Sequence, residues 1–247
     1  MRSIIRKNFS ILELIISFVL GIIVSLSTIY IENNKLILSN NNIVKIIIIS
    51  IIIYLLFFLF RVLMYNLANK KFEKINLLNK ILNSKYKIFI IGLIIFLCWL
   101  PILIMLYPGT FINDTWGQLQ QVLNLTKNGI WYFSNHHPIV STIIESIIIL
   151  PLVSITDNWH LSIFIYVIIQ SFLTSLVFAY SLIYAYDKLK VNRLIILIGI
   201  IVYALLPIYP FSVQTVSKDA MSAPIYLLFI INFVELIRTN CDCLKNK

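Results

Sequence analysis

The chain has 247 residues, of which 60% are hydrophobic and only 12% charged, and its mean hydropathy is +0.93. A soluble domain carries roughly 25% charged residues, so this composition excludes a soluble enzyme, a nucleic-acid-binding module and a disordered chain. It describes an integral membrane protein, and the net charge of +10 then reads as topology, because cytoplasmic loops collect Lys and Arg.

A spanning helix needs about 20 apolar residues. Uncharged apolar stretches occupy 14–31, 46–60, 88–113, 161–186, 194–217 and 220–234. The first reads as a retained span and not a cleaved leader, because the bulky Ile29-Tyr30-Ile31 offers no small-residue cleavage site. The second reaches Tyr65 if Arg61 snorkels. Residues 66–87 form a basic connector suited to anionic lipid headgroups. Cys98, Cys241 and Cys243 make no disulfide framework, and the C-x-C of the tail is a weak metal signal.

The segment 107–138 is different in character. Tyr107-Pro108-Gly109 ends a helix, and a short helix is expected from Asn113 or Asp114. Asp114, Gln118 and Gln121 share one face of it, while Leu119, Val122 and Leu123 are free to lie on the bilayer. A turn at Asn128-Gly129 leads to Trp131, Tyr132 and Phe133, an interfacial composition, and then to Asn135-His136-His137-Pro138. Adjacent histidines do not readily ligate one metal, and no Cys or Glu stands near to complete a zinc site. Beyond it, 139–156 is apolar but carries Glu145 and Pro151. A carboxylate at mid-membrane costs about 2.5–3.5 kcal/mol on insertion scales.

Counting Lys and Arg sets the orientation. If 139–156 does not cross, sixteen of the 20 fall inside and only Lys35, Lys45, Lys127 and Lys218 outside; if it crosses, the division is 11 to 9. The expected fold is therefore all-α and polytopic, with about six transmembrane helices and one re-entrant or juxtamembrane helix at 139–156. The N-terminus lies inside. Pro207 and Pro210 predict a kinked, unwound outer end for the fifth span, followed by Lys218-Asp219. Asp114, His136, His137, Lys218 and Asp219 then share the outer face.

An acid, amides, imidazoles and an amine at a membrane surface suit group transfer from a lipid-linked phosphate to a hydroxyl. Cations stabilise the departing phosphate and the carboxylate accepts the proton. The order of span, acidic outer loop and His-Pro element resembles the GT-C superfamily of membrane glycosyltransferases. It is more similar still to an uncharacterised family of multi-spanning Gram-positive proteins with a Tyr-Pro-Gly…Asp…Gln…Asn-His-His-Pro…Lys-Asp pattern. Tyr107, Pro108, Gly109, Asp114, Gln118, Asn135, His136, His137, Pro138, Lys218 and Asp219 carry that pattern.

The resemblance implies a bacterial cytoplasmic-membrane enzyme, active at its outer face, that takes a polyprenyl-phosphate sugar. Asp114 would be catalytic. His136, His137, Lys218, Asp219 and Gln118 would bind the donor. A divalent cation is a candidate cofactor, and membrane lipid is the partner; nucleic acid is not. It also implies a division into 1–87, two spans and a connector; 88–237, a GT-C-like module with its outer catalytic loop at 108–138; and 238–247, a cytoplasmic tail. Three departures stand out: two spans precede the catalytic one, Ile139 replaces the second Pro of the family's Pro-Pro, and such enzymes continue for several spans after the point matched by Lys247. A C-terminal remainder is accordingly an expected partner. The alternatives are a small transporter or channel, which would place polar groups near the midplane, and a non-catalytic subunit or truncated pseudo-enzyme.

Overall fold

The computed structural model describes residues 11–36, 39–68, 76–129, 133–134 and 137–241. The chain forms two compact units, Met1–Lys71 and Phe72–Lys247. The fold is all-α and polytopic. Among the described residues, six helices are long and apolar enough to cross a membrane.

The first unit holds α1 (Ile11–Asn33) and α2 (Asn40–Ala68). Ser17, Gly21 and Ser25 recur every four residues, so α1 presents a stripe of small side chains. Ser50 of α2 fits against it, where a Cβ on Gly21 would fall 2.6 Å from the Ser50 Cα. Both serines return their hydroxyls to their own helices, Ser25 to Gly21 O at 2.6 Å and Ser50 to Ile46 O at 2.8 Å. Lys45 and Glu32 pair at 2.9 Å.

The second unit holds α3 (Asn76–Leu82), α4 (Lys87–Met105), β1 (Thr110–Phe111), α5 (Asn113–Asn128), α6 (Ile139–Thr156), α7 (Trp159–Asp187), α8 (Arg193–Leu205), α9 (Ile208–Val213), β2 (Thr215–Val216) and α10 (Lys218–Arg238). The basic connector is thus divided: Leu78 and Leu82 of α3 are buried in the core of this unit.

α7 is the central helix. Its buried face mixes apolar residues with Ser162, Ser171, Thr174, Ser175 and Ala179. Small hydroxyl residues let neighbours approach and satisfy themselves on the preceding turn; Thr174 donates to Gln170 O at 2.8 Å and Ser175 to Phe172 O at 2.7 Å. α4 buries Ile91, Gly92, Ile95, Trp99 and Leu103, a helical stripe. Lys87 meets Asp187, Gly92 lies against Leu176 and Tyr107 meets Phe164, so α4 runs antiparallel to α7.

One end of the unit is polar and mostly basic. Lys87 pairs with Asp187 at 2.7 Å, Arg193 donates to Asn79 at 2.9 Å, and Tyr184 donates to Glu235, which also holds Arg238 at 2.7 Å. The starts of α4 and α8 and the finishes of α7 and α10 meet there.

The sequence predicts a span over 194–217 with a kinked, unwound outer end at Pro207 and Pro210, and the structure breaks there. α8 has 13 residues and α9 only 6. Leu206, before Pro207, is extended at φ −72°, ψ 119°, as a residue preceding proline prefers to be. Pro207 also removes the N–H that Tyr203 O would accept in a continuing helix. The Trp99 indole N–H supplies the missing donor at 2.8 Å.

Residues 139–156 form an unbroken helix of 18 residues, and so rank by length among the six. Its end meets Ser162 of α7, and its Ile144 shares a groove with residues as far along α7 as Val177. Thr156 lies 3.1 Å from Ser162, and Ile144 and Ile148 share a groove with Tyr166 and Leu173. Ser141 and Thr142 meet α5, whose Thr115 is tied to Val216 near the middle of α7.

Trp99→Phe keeps the buried ring but strands the Tyr203 carbonyl, and should lower stability by about 1–3 kcal/mol in thermal unfolding of the detergent-solubilised protein. In a background with the native cysteines replaced by serine, single cysteines at Asn128 and Asp157 should label from the same side of the membrane and one at Lys188 from the other. Labelling of 128 and 157 from opposite sides would show that α6 crosses.

Candidate functional site

The site begins where α4 stops. After a cis Tyr107–Pro108 peptide, Gly109 adopts φ +103°. A Cβ there would fall 2.7 Å from Gln214 O and 2.8 Å from the Val167 side chain, so both the backbone angle and the space require glycine. This close approach lets β1 pair in parallel with β2, Thr110 opposite Thr215 and Phe111 opposite Val216. Gln214 strengthens the join: its Oε1 accepts from Thr110 N at 2.7 Å, and its Nε2 donates to Thr110 Oγ1 at 2.9 Å. From the other side Gln170 donates to Val213 O at 2.8 Å and Thr215 O at 3.1 Å. Thr115 Oγ1 donates to Val216 O.

Two helices therefore start side by side. α5 begins at Asn113 behind an extended Ile112, and Asp114 lies in its first turn, where a carboxylate suits the helix dipole. α10 begins at Lys218 and is capped by Ser217, whose Oγ accepts from Ala220 N at 3.2 Å. Ser217 thus takes the capping role that Asp219 could have held. The outcome is an ion pair between Lys218 Nζ and Asp114 Oδ2 at 3.6 Å, with side-chain exposures of 25% and 45%. The distance is loose for a direct charge-assisted bond, and both groups reach solvent.

The other predicted residues separate. His137 is half-buried and packs against Gly117, where a Cβ would sit 3.6 Å from its Nε2. Gly117 follows Asp114 by three residues, so the imidazole lies one turn along α5. His136 lies outside the described residues, as do Asn135, Trp131 and Tyr132. Gln118 is fully buried; its Nε2 donates at 3.0 Å to Ser141 Oγ and Thr142 Oγ1, joining α5 to α6. Gln121 accepts from Ser134 N at 2.8 Å and so holds the loop beyond α5. Asp219 is exposed and lines a cavity of about 560 Å³ with Thr215, Ser217, Ser212 and Tyr209, while Lys218 turns toward Asp114.

Leu119 corrects the sequence reading. It was expected free to lie on the bilayer, but it is fully buried, because α6 covers the Gln118–Leu119 side of α5. The expected turn at Asn128-Gly129 is present, with Gly129 left-handed at φ +67°.

Sequence reasoning gave no role in the join to Thr115, Gln170 or Gln214, which build it. Their one signal was polarity inside or beside apolar runs. Among the described residues, no group of three or more His, Cys, Asp or Glu side chains gathers.

No family model matches this chain, and no curated protein or solved structure does so either.

The Asp114–Lys218 pair should contribute little to stability despite its position. Because both groups are partly solvated, a double-mutant cycle with Asp114→Asn and Lys218→Met, read by thermal unfolding, should give a coupling of about 0–1 kcal/mol.

Proposed function

We propose that the chain is a membrane glycosyltransferase, or the N-terminal part of one, that transfers a sugar from a polyprenyl-phosphate donor to an acceptor hydroxyl at the outer face of the bacterial cytoplasmic membrane. The observation that carries this reading is the 3.6 Å approach of Asp114 to Lys218, two groups from segments a hundred residues apart that meet at partly open helix starts. Such a pair costs exposed charge and adds little stability, so a chemical role accounts for it better than packing does.

The arrangement supplies both halves of a displacement. The Asp114 carboxylate accepts the proton of the attacking hydroxyl. The hydroxyl oxygen bonds to the anomeric carbon as the bond from that carbon to the phosphate oxygen breaks. The electron pair leaves with the lipid phosphate, where the Lys218 ammonium stabilises it. In the donor-free state Lys218 turns to Asp114; with donor bound it divides its charge between the two. His137, one turn along α5, is the second phosphate-facing group, and His136 adjoins it in the chain.

A lipid donor also needs an apolar channel. A groove of about 230 Å³ runs between α6, α7 and α10, lined by Ile144, Ile148, Leu173, Met221, Ile225 and Leu228. Met221 follows Lys218 by three residues, so an isoprenoid chain in the groove would end close to the ammonium. Gln118 contributes by bracing α5 against α6, since its amide is buried and occupied by Ser141 and Thr142. An α6 that stays on the outer side would leave 16 of 20 basic residues inside, the division the positive-inside rule prefers.

Asp114→Asn should reduce transfer by about 10²–10⁴-fold, the usual contribution of a general base, while leaving membrane insertion and thermal stability near wild type. The assay is incorporation from a radiolabelled polyprenyl-phosphate hexose into membrane acceptors. A wild-type rate in the variant would remove Asp114 from catalysis.

A further inference from the structure

The basic end of the second unit holds more positive charge than its own acids meet. The described acids there are Asp187 and Glu235, and both are taken, Asp187 by Lys87 at 2.7 Å and Glu235 by Arg238 at 2.7 Å. Among the described residues, Lys80, Lys85, Lys190 and Arg193 pair with no carboxylate. Arg193 is the exceptional one, because it is half-buried and held in place. Its Nη1 donates to Asn79 Oδ1 of α3 at 2.9 Å and its Nε to the Tyr186 hydroxyl of α7 at 3.3 Å. Both acceptors are neutral, so the contacts fix the guanidinium and leave its charge unbalanced. Arginine cannot shed that charge by losing a proton.

A guanidinium is a planar fork of donors that matches the oxygens of a phosphate. With Nε and one N–H of Nη1 committed, Nη2 and the second N–H of Nη1 remain for an incoming anion. The surroundings say which anion. Leu77 is 71% exposed, Tyr86 59% and Leu189 45%. Each stands close in sequence to one of the unmatched amines: Leu77 to Lys80, Leu189 to Lys190, and Tyr86 to Lys85, whose Nζ lies 4.8 Å from the ring centroid. Apolar side chains interleaved with amines suit the boundary between acyl chains and headgroups and not bulk water. The matching partner carries its phosphate on a lipid. The sequence marks only 66–87 for headgroup contact; Arg193 lies outside that connector, and the Asn79 side chain joins the two.

We propose that Arg193, oriented by Asn79 and Tyr186, binds the phosphate of an anionic phospholipid, with Lys80 and Lys190 adding long-range attraction. The bound headgroup offsets the guanidinium charge and so strengthens the junction of α3 with the α7–α8 turn. The assignment stands apart from the glycosyltransferase reading, because it uses none of the groups assigned to transfer and is tested without any activity.

The test is thermal unfolding of the purified 247-residue chain in a non-ionic detergent, titrated with phosphatidylglycerol, phosphatidylcholine or sodium phosphate at constant pH and ionic strength. Wild type should gain roughly 4 °C at tenfold excess of phosphatidylglycerol over the dissociation constant, saturably, and neither of the other two additives should reproduce it. Arg193→Gln should lose the gain. Lys127→Gln, which removes one exposed positive charge from the end of α5, should keep it. If Arg193→Gln does not fold, the double variant Lys80→Gln, Lys190→Gln serves, with the half-maximal lipid concentration raised several-fold. Equal gains with phosphatidylglycerol and phosphatidylcholine would overturn the site, as would no gain with either. So would a gain that persists in Arg193→Gln, one that vanishes in Lys127→Gln, an unshifted half-maximal concentration in the double variant, or an equal gain from sodium phosphate, which would mean a soluble anion instead of a lipid.

Discussion

The second unit depends on a very short piece of β structure. Thr110–Phe111 and Thr215–Val216 pair over only two residues each, yet they bring together two segments about a hundred positions apart. Every feature of the candidate site is placed by that pairing. It sets the first turn of α5 beside the first turn of α10, and hence Asp114 beside Lys218. Gly109 is the residue that permits it, because any side chain there would strike the Gln214 carbonyl.

Such a break in helical structure is costly wherever water is scarce. A helix in lipid satisfies its own backbone, and an interrupted one must borrow partners from side chains. The borrowed partners are identifiable. Trp99 serves the carbonyl of Tyr203 that Pro207 leaves unmet, Gln170 serves Val213 and Thr215, Gln214 serves Thr110, and Thr115 serves Val216. These residues touch no proposed substrate. They are the reason an irregular segment exists at this depth, and an irregular segment is what can present an acid and an amine to a polar ligand. The same economy appears on α6, where Ser141 and Thr142 meet both Pro138 O and the Gln118 amide. It stops one turn later, at Glu145 and Ser146, whose side-chain oxygens meet no hydrogen-bond partner among the described residues.

The chain's own text showed the membrane class, most helix positions, the α5 start near Asp114 and its end at Gly129, because these follow from local apolar runs and turn chemistry. Pro207 and Pro210 also marked the break within 194–217. The text misjudged one residue's surroundings. Leu119 looked free for lipid because helix periodicity tells which residues share a face, not which neighbour covers that face. Gln118 and Lys218 were both marked as site residues by the motif they share. One is buried as a brace and the other is open as a partner of Asp114, a distinction that depends on α6 and α10 and not on α5.

Composition, charge asymmetry and turn residues were enough to determine that this is a helical, multi-spanning chain with its polar groups gathered in a few places, since each of those properties is a sum over near neighbours in sequence. Which polar groups meet, which are enclosed and which stay open was decided by the tertiary structure. The physical reason is that pairing 110 with 215, or 118 with 141, is a matter of long-range backbone register and helix packing, and neither leaves a periodic trace in the amino-acid order.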